Sequence, residues 1–451
     1  MNKTNKRIWL SGFAIIVFFA AVFGLHRLLQ EPAVHAPLRY VFKTYDVSTD
    51  ENGAKCVNNS DKPFERIEAG KMNSWDAEHY KRIKETLYTT ERIECWAFFP
   101  LFSLVWRATG LDSLGIGILN CLLFAIGMLI MFKIFENKLP LWGFLLVLCV
   151  PYLVIFMMPY TEALFFLCIA AGLYGIIKEK YRLYFVGFLL ASMTKASALI
   201  LIPVFLFAEI ISATYHRKPL FFLARFGKRI LPVVLGLLCV MVFQKLRGAE
   251  NFYQFFISQK IWGKYLSVPT LPFTDWSSEG KSITDPFLLL YSIPMVVVLL
   301  RAFLRGLKRK EGEKITIWQY TRLISLLFLT GNIFTALLTQ HGGLYSLARY
   351  LLSTPFFVFL LFDTVKNRRN KIWEAVYAFV GLITVVLCIY NFVKADFAGT
   401  WLVMLGSLLA FFHRKFGKRV LYFALAAGIL LNICWTAYMF NCFLLDAWIF
   451  T

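Results

Sequence analysis

SLGIGILNCLLFAIGMLIMFKIF, residues 113–135, carries a single charge, Lys133, and shows no alternation of apolar with polar positions. A run of this length matches the hydrocarbon thickness of a bilayer when wound as an α-helix. Strands of a membrane barrel would place a polar residue at every second position, so the reading is helical. Similar runs recur along the chain. Further spans are predicted at about 8–29, 139–158, 161–177, 183–194, 198–213, 229–246, 286–304, 317–338, 348–365, 372–393, 398–412 and 420–440. Together they predict an all-α polytopic membrane protein, a single integral membrane domain of about thirteen helices. Composition agrees: 59% of the 451 residues are hydrophobic and 17% charged, with mean hydropathy +0.62.

The formal net charge of +21 does not point to nucleic acid, because the basic residues stand in short clusters between apolar runs. Counting crossings from a cytoplasmic N-terminus puts Lys133/Lys138, Lys178/Lys180/Arg182, the cluster from Arg217 to Arg229, that from Arg305 to Lys314, Lys366 to Lys371 and Arg414 to Arg419 on one side. The short loops between them hold only Lys195, Arg349 and Lys394. This is the positive-inside pattern, and it predicts a C-terminus outside. The first run is read as an uncleaved signal anchor rather than a leader cut near Ala36, since it is long and Pro37 would follow the cut. Two longer polar segments, 30–112 and 247–285, then fall on the outer face, where any chemistry is expected.

The first outer segment contains Asn73-Ser74-Trp75-Asp76-Ala77-Glu78-His79-Tyr80 and then Cys95-Trp96-Ala97-Phe98-Phe99-Pro100-Leu101. Asp76 and Glu78 among aromatics are either an acid/base site at the membrane surface or a solvated acidic turn. Tyr160-Thr161-Glu162 opens a predicted span; taken alone, Thr161 would cap that helix and Glu162 would favour its dipole. Lys195 interrupts a long apolar stretch, as a snorkelling residue or as a cation for an anionic headgroup. Arg349, the one arginine in a short outer loop, suits bidentate phosphate binding or simple anchoring. Gln259 and Trp262 lie in the second outer segment and say little by themselves. Cys56 and Cys95 share the first outer segment, in an oxidising compartment, and are expected to pair as a disulfide. Most other cysteines lie inside apolar runs, and no metal-ligand spacing is evident. Asn58-Asn59-Ser60 is a sequon that only a eukaryotic lumen would use.

Taken in order, these pieces resemble the PIG-V family, the second mannosyltransferase of glycosylphosphatidylinositol assembly and its bacterial relatives, within the GT-C superfamily. The resemblance rests on Trp75-Asp76 with Tyr80, Phe98-Phe99-Pro100-Leu101, Tyr160-Thr161-Glu162, Gln259 with Trp262-Gly263, and Arg349-Tyr350-Leu351-Leu352 with Pro355. It covers about residues 70–360. Where relatives have Thr-Arg-Pro, this chain has Thr194-Lys195-Ala196, which keeps the cation and loses the guanidinium. The resemblance implies inverting transfer of mannose or a related hexose from a polyprenyl- or dolichyl-phosphate donor to a glycolipid or glycan acceptor on the non-cytoplasmic face. It implies Asp76 as the base with Glu78 and Glu162 as further catalytic carboxylates, and Arg349 and Lys195 on the donor phosphate. Trp75, His79, Tyr80, Tyr160, Gln259 and Trp262 would line the substrate. No metal is required for a monophosphate leaving group, although Asp76 and Glu78 together could bind a divalent ion. The expected setting is a bacterial inner membrane, or alternatively the endoplasmic reticulum. A flippase of lipid-linked oligosaccharide would carry its charges near the midplane, and a polysaccharide polymerase or ligase would place its large loop late in the chain.

Overall fold

The computed structural model describes residues 3–49, 55–136, 138–212, 219–268, 284–307, 315–340, 346–367 and 397–447. In chain order the helices are α1 (Lys3–Leu28), α2 (Pro32–His35), α3 (Asp76–Thr86), α4 (Pro100–Thr109), α5 (Ser113–Ile134), α6 (Leu141–Leu145), α7 (Glu162–Ile177) and α8 (Tyr181–Thr194). There follow α9 (Leu201–Ser212), α10 (Pro219–Leu246), α11 (Gln254–Ser258), α12 (Thr284–Leu307), α13 (Ile317–Thr339), α14 (Leu347–Leu352), α15 (Pro355–Lys366), α16 (Phe397–Phe412) and α17 (Lys418–Leu444). Among the described residues five helices are long and apolar enough to cross a bilayer: Lys6–Leu28, Ser113–Ile134, Phe222–Leu246, Ile317–Thr339 and Lys418–Leu444. The predicted span 372–393 lies outside the described residues.

One element departs from an all-α reading. Strands β1 (Thr44–Thr49) and β2 (Lys55–Ser60) pair antiparallel, with Thr44 opposite Ser60 and Thr49 opposite Lys55. These short segments hold β-branched residues in a polar stretch of the first loop, where no apolar run demands a helix. The hairpin is anchored at its base: Thr44 Oγ1 lies 2.7 Å from the carbonyl oxygens of Ser60 and of Lys62.

Helix α1 packs against α5 and α17 and buries Ile15, Phe18, Phe19 and Val22, so the first apolar run belongs to the core. Small residues set the tightest contact, between α7 and α8. A Cβ on Gly187 would stand 2.5 Å from the backbone nitrogen of Gly172, and one on Gly175 would stand 2.3 Å from that of Tyr184. Helices this close gain dispersion contacts that larger side chains would prevent.

The predicted span 139–158 is not one helix. It forms α6, then 3-10 turns at Leu146–Cys149 and Leu153–Met157, broken where Pro151 lacks an amide proton and Tyr152 sits at φ 68°. Irregular backbone among apolar helices needs partners for its carbonyls. Two buried asparagines supply them. Asn432 Nδ2 donates to Leu148 O (2.7 Å) and Val150 O (2.8 Å), and Asn120 Nδ2 donates to Met158 O (2.6 Å) and Tyr160 O (2.9 Å). The segment is thereby held rigidly just ahead of Glu162. The predicted span 348–365 is also divided, into α14 and α15, at Ser353 and Thr354. Thr354 Oγ1 accepts from the Phe357 amide (3.3 Å) to start the second piece.

Candidate active site

Four polar segments meet at one end of the helices. Helix α3 begins at Asp76, directly after Trp75, whose backbone lies at φ 58°, ψ −127°. Helix α14 follows Ser346, at φ 63°. Each of these conformations costs a non-glycine residue about 1–3 kcal/mol, and such strain collects where a side chain must be aimed. Here the residues aimed are Asp76 and Arg349.

Arg349 Nη2 lies 2.7 Å from Asp76 Oδ2, and its Nε donates to Glu162 Oε1 at 2.6 Å. Lys195, at the end of α8, donates to the same Glu162 oxygen at 2.7 Å. Side-chain exposure grades along the chain of charges: 1% for Glu162, 4% for Arg349 and 25% for Asp76. Glu162 is thus the buried root and Asp76 the accessible tip. The second carboxylate oxygen of Glu162 is buried with no hydrogen-bond partner. A buried charged acceptor left in this state is costly, and a hydroxyl donor brought by a ligand would relieve it.

Aromatic rings frame the charges. The Arg349 guanidinium lies 4.7 Å from the centre of the Tyr160 ring. Tyr350 is flanked by Lys195 Nζ at 5.2 Å and Lys264 Nζ at 5.4 Å from its ring centre, and Lys264 donates to its hydroxyl at 3.2 Å. Among the described residues the cluster therefore holds three cations, Lys195, Lys264 and Arg349, against two carboxylates. Thr161 does not cap α7: no side-chain cap bond is made, and its hydroxyl lies 3.4 Å from that of Tyr80. Glu162 belongs to the ion network, which is a stronger interaction than a favourable helix dipole.

Asp76 and Glu78 do not converge. Residues two apart on a helix point to different faces, and Glu78 pairs instead with Arg82 one turn on. A metal shared by this pair is disfavoured for the same reason. His79 stacks on Phe98 at 4.8 Å and meets the Trp262 ring edge-on at 4.9 Å. Gln259 Nε2 donates to Ala97 O (3.1 Å), and Trp262 Nε1 donates to Glu94 O (3.3 Å). The two polar segments of the sequence thus join beside α3.

The expected bond between Cys56 and Cys95 is not made, because Cys95 is a free, buried thiol. It packs with Ile83, Tyr88, Trp96 and Ala249, its Sγ lies 3.7 Å from His79 Nδ1, and burial pushes the thiol up to about 11. The backbone of Cys56 is in β2, opposite Ser48.

Sequence reasoning gave no role to Lys264, which carries no recognisable motif. It also left Tyr350 as part of a motif without a function. A lysine within an otherwise ordinary polar segment gives no signal until folding sets it beside Tyr350. His79, Glu94 and Cys95 were equally hidden as a group: their ligand atoms lie within 4.8 Å of one another, although the spacing follows no metal-binding pattern. Compared with family models, with characterised proteins and with solved structures, the chain matches none.

Proposed function

We propose that this protein is a membrane-embedded glycosyltransferase which moves a hexose from a polyprenyl-phosphate sugar to a hydroxyl of a glycolipid or glycan on the non-cytoplasmic face, as its resemblance to the PIG-V family implies. The observation that carries the reading is the charge chain Asp76–Arg349–Glu162–Lys195, which ends in an accessible carboxylate and is flanked by Lys264.

In this reading the acceptor oxygen attacks the anomeric carbon as Asp76 takes its proton. The bond from that carbon to the phosphate oxygen breaks with inversion, and the lipid phosphate leaves with the electron pair. A positioned carboxylate gives general-base help of about a hundredfold or more. Arg349, engaged between two carboxylates, keeps Asp76 oriented. The excess positive charge, centred on Lys264 and Lys195, stabilises the departing phosphate. The unpartnered oxygen of Glu162 accepts from a sugar hydroxyl. Orientation, with the N-terminus cytoplasmic and the C-terminus outside, follows from the basic loops and forms part of the proposal.

The test is transfer by the purified chain from polyprenyl-phosphate mannose, glucose and galactose to a lipid extract. Asp76→Asn should keep expression and fold while transfer falls about a hundredfold or more. Near-normal transfer by that variant would remove Asp76 as the base and leave Glu162 as the carboxylate to test.

A further inference from the structure

We propose that His79, Glu94 and Cys95 form a zinc site that braces the turn Ile93–Ala97 against α3, one helical turn from Asp76. Its three ligand atoms lie within 4.8 Å of one another. An imidazole nitrogen, a thiol sulfur and a carboxylate oxygen are the donor set of a borderline-soft ion, and zinc binds all three. A tetrahedral zinc with ordinary bonds to nitrogen and sulfur separates those two atoms by about 3.6 Å. The distance from Cys95 Sγ to His79 Nδ1 is 3.7 Å.

The surroundings already hold each donor in place. Stacking on Phe98 and the edge of Trp262 fix the imidazole plane, and Cys95 is sunk in its own apolar cluster. Glu94 is the adjustable member. Its carboxylate, partly exposed, stands 3.6 Å from Nη1 of the exposed Arg92, a loose pair, and a small side-chain rotation exchanges that partner for the metal. On binding, the Cys95 thiol gives its proton to solvent and sulfur coordinates as thiolate, leaving a fourth position for water. Because Trp262 donates to the Glu94 carbonyl, the ion would tie together α3, the turn and the later polar segment. Its role is to brace the frame of the site, and it does not depend on the reaction catalysed there.

The test uses the full chain purified in detergent from zinc-replete cells. Elemental analysis should find about one zinc per chain in the wild type, and at least tenfold less in Cys95→Ser and His79→Gln. Cys239→Ser, which alters an exposed cysteine of α10, should retain the metal. Chelated wild type titrated with cobalt(II) should develop a thiolate-to-cobalt charge-transfer band, which Cys95→Ser lacks and Cys239→Ser keeps. The cobalt spectrum of the wild type decides the matter even where a ligand variant fails to fold. A wild type that holds no zinc and gives no such band overturns the site, as does a folded Cys95→Ser that retains full zinc.

Discussion

The two ends of the helical core bury the same kinds of charge and treat them differently. At the end rich in lysine and arginine, Glu209 is 1% exposed and both its oxygens are engaged: Arg225 Nε lies 3.3 Å from one, and Arg229 Nε (3.8 Å) and the Tyr320 hydroxyl (3.0 Å) approach the other. Asp363 nearby takes Arg322 in a two-point contact, at 2.6 and 3.1 Å, together with Trp318 Nε1 and Asn367 Nδ2. At the opposite end Glu162 is just as buried, yet one of its oxygens has no partner, and the chain of charges runs out to a quarter-exposed Asp76. Complete pairing locks helices together. Incomplete pairing leaves a buried acceptor of Glu162 unsatisfied, at a cost in free energy.

The contrast is broken most severely by removing the buried roots. Glu162→Gln should destabilise the protein by about 3–5 kcal/mol, since it strands the buried Arg349, and Glu209→Gln should cost less, because Arg225 and Arg229 reach solvent. Thermal unfolding in detergent checks the loss, and transfer per folded molecule separates the two: Glu209→Gln should keep it and Glu162→Gln should not. Equal activity in the folded fractions would erase the distinction between the ends.

Next comes the matched aspartate pair. The hundredfold loss expected of Asp76→Asn corresponds to about 2.7 kcal/mol of transition-state stabilisation, at a smaller cost in stability than Glu162→Gln, because Arg349 keeps its ion pair with Glu162. Asp363→Asn should behave in the opposite sense, lowering the unfolding temperature and leaving kcat near wild type.

Smaller still is the change expected from the asparagine braces. Asn432→Leu uncovers the carbonyls of Leu148 and Val150 and should cost about 1–3 kcal/mol. Asn120→Leu should cost a similar amount but also reduce transfer, because the carbonyl of Tyr160 stands two residues from Glu162. The mildest variant is Lys264→Met, which should raise the KM for the lipid-phosphate donor about tenfold, or about 1.4 kcal/mol, without a change in melting temperature. A donor KM unaffected by Lys264→Met would leave Lys195 alone on the phosphate.

Uninterrupted apolar runs such as 113–135 made the helical character legible, because a long stretch without alternation can satisfy its backbone among apolar surroundings only as a helix. Asp76, Glu162, Lys195 and Arg349 were legible as candidates for a related reason: a charge at the edge of an apolar run is conspicuous. The break within 139–158 was marked in the sequence only by Pro151, which a kinked helix could also hold; the partners that permit the break, Asn120 and Asn432, belong to other helices. Nor could sequence spacing foretell that Asp76 turns to Arg349, or that Cys95 faces His79 instead of pairing with Cys56.

By itself the sequence determined what lies in apolar surroundings, through runs whose length and hydrophobicity are local properties of the chain. Tertiary structure alone decided which charges meet. Asp76, Glu162, Lys195 and Arg349 are joined over separations of up to 273 positions, from Asp76 to Arg349, and such contacts depend on how helices pack through small residues such as Gly172 and Gly187. Hydrogen-bond and ion-pair partners are set by distances of about 3 Å in space, a scale on which separation along the chain carries no information.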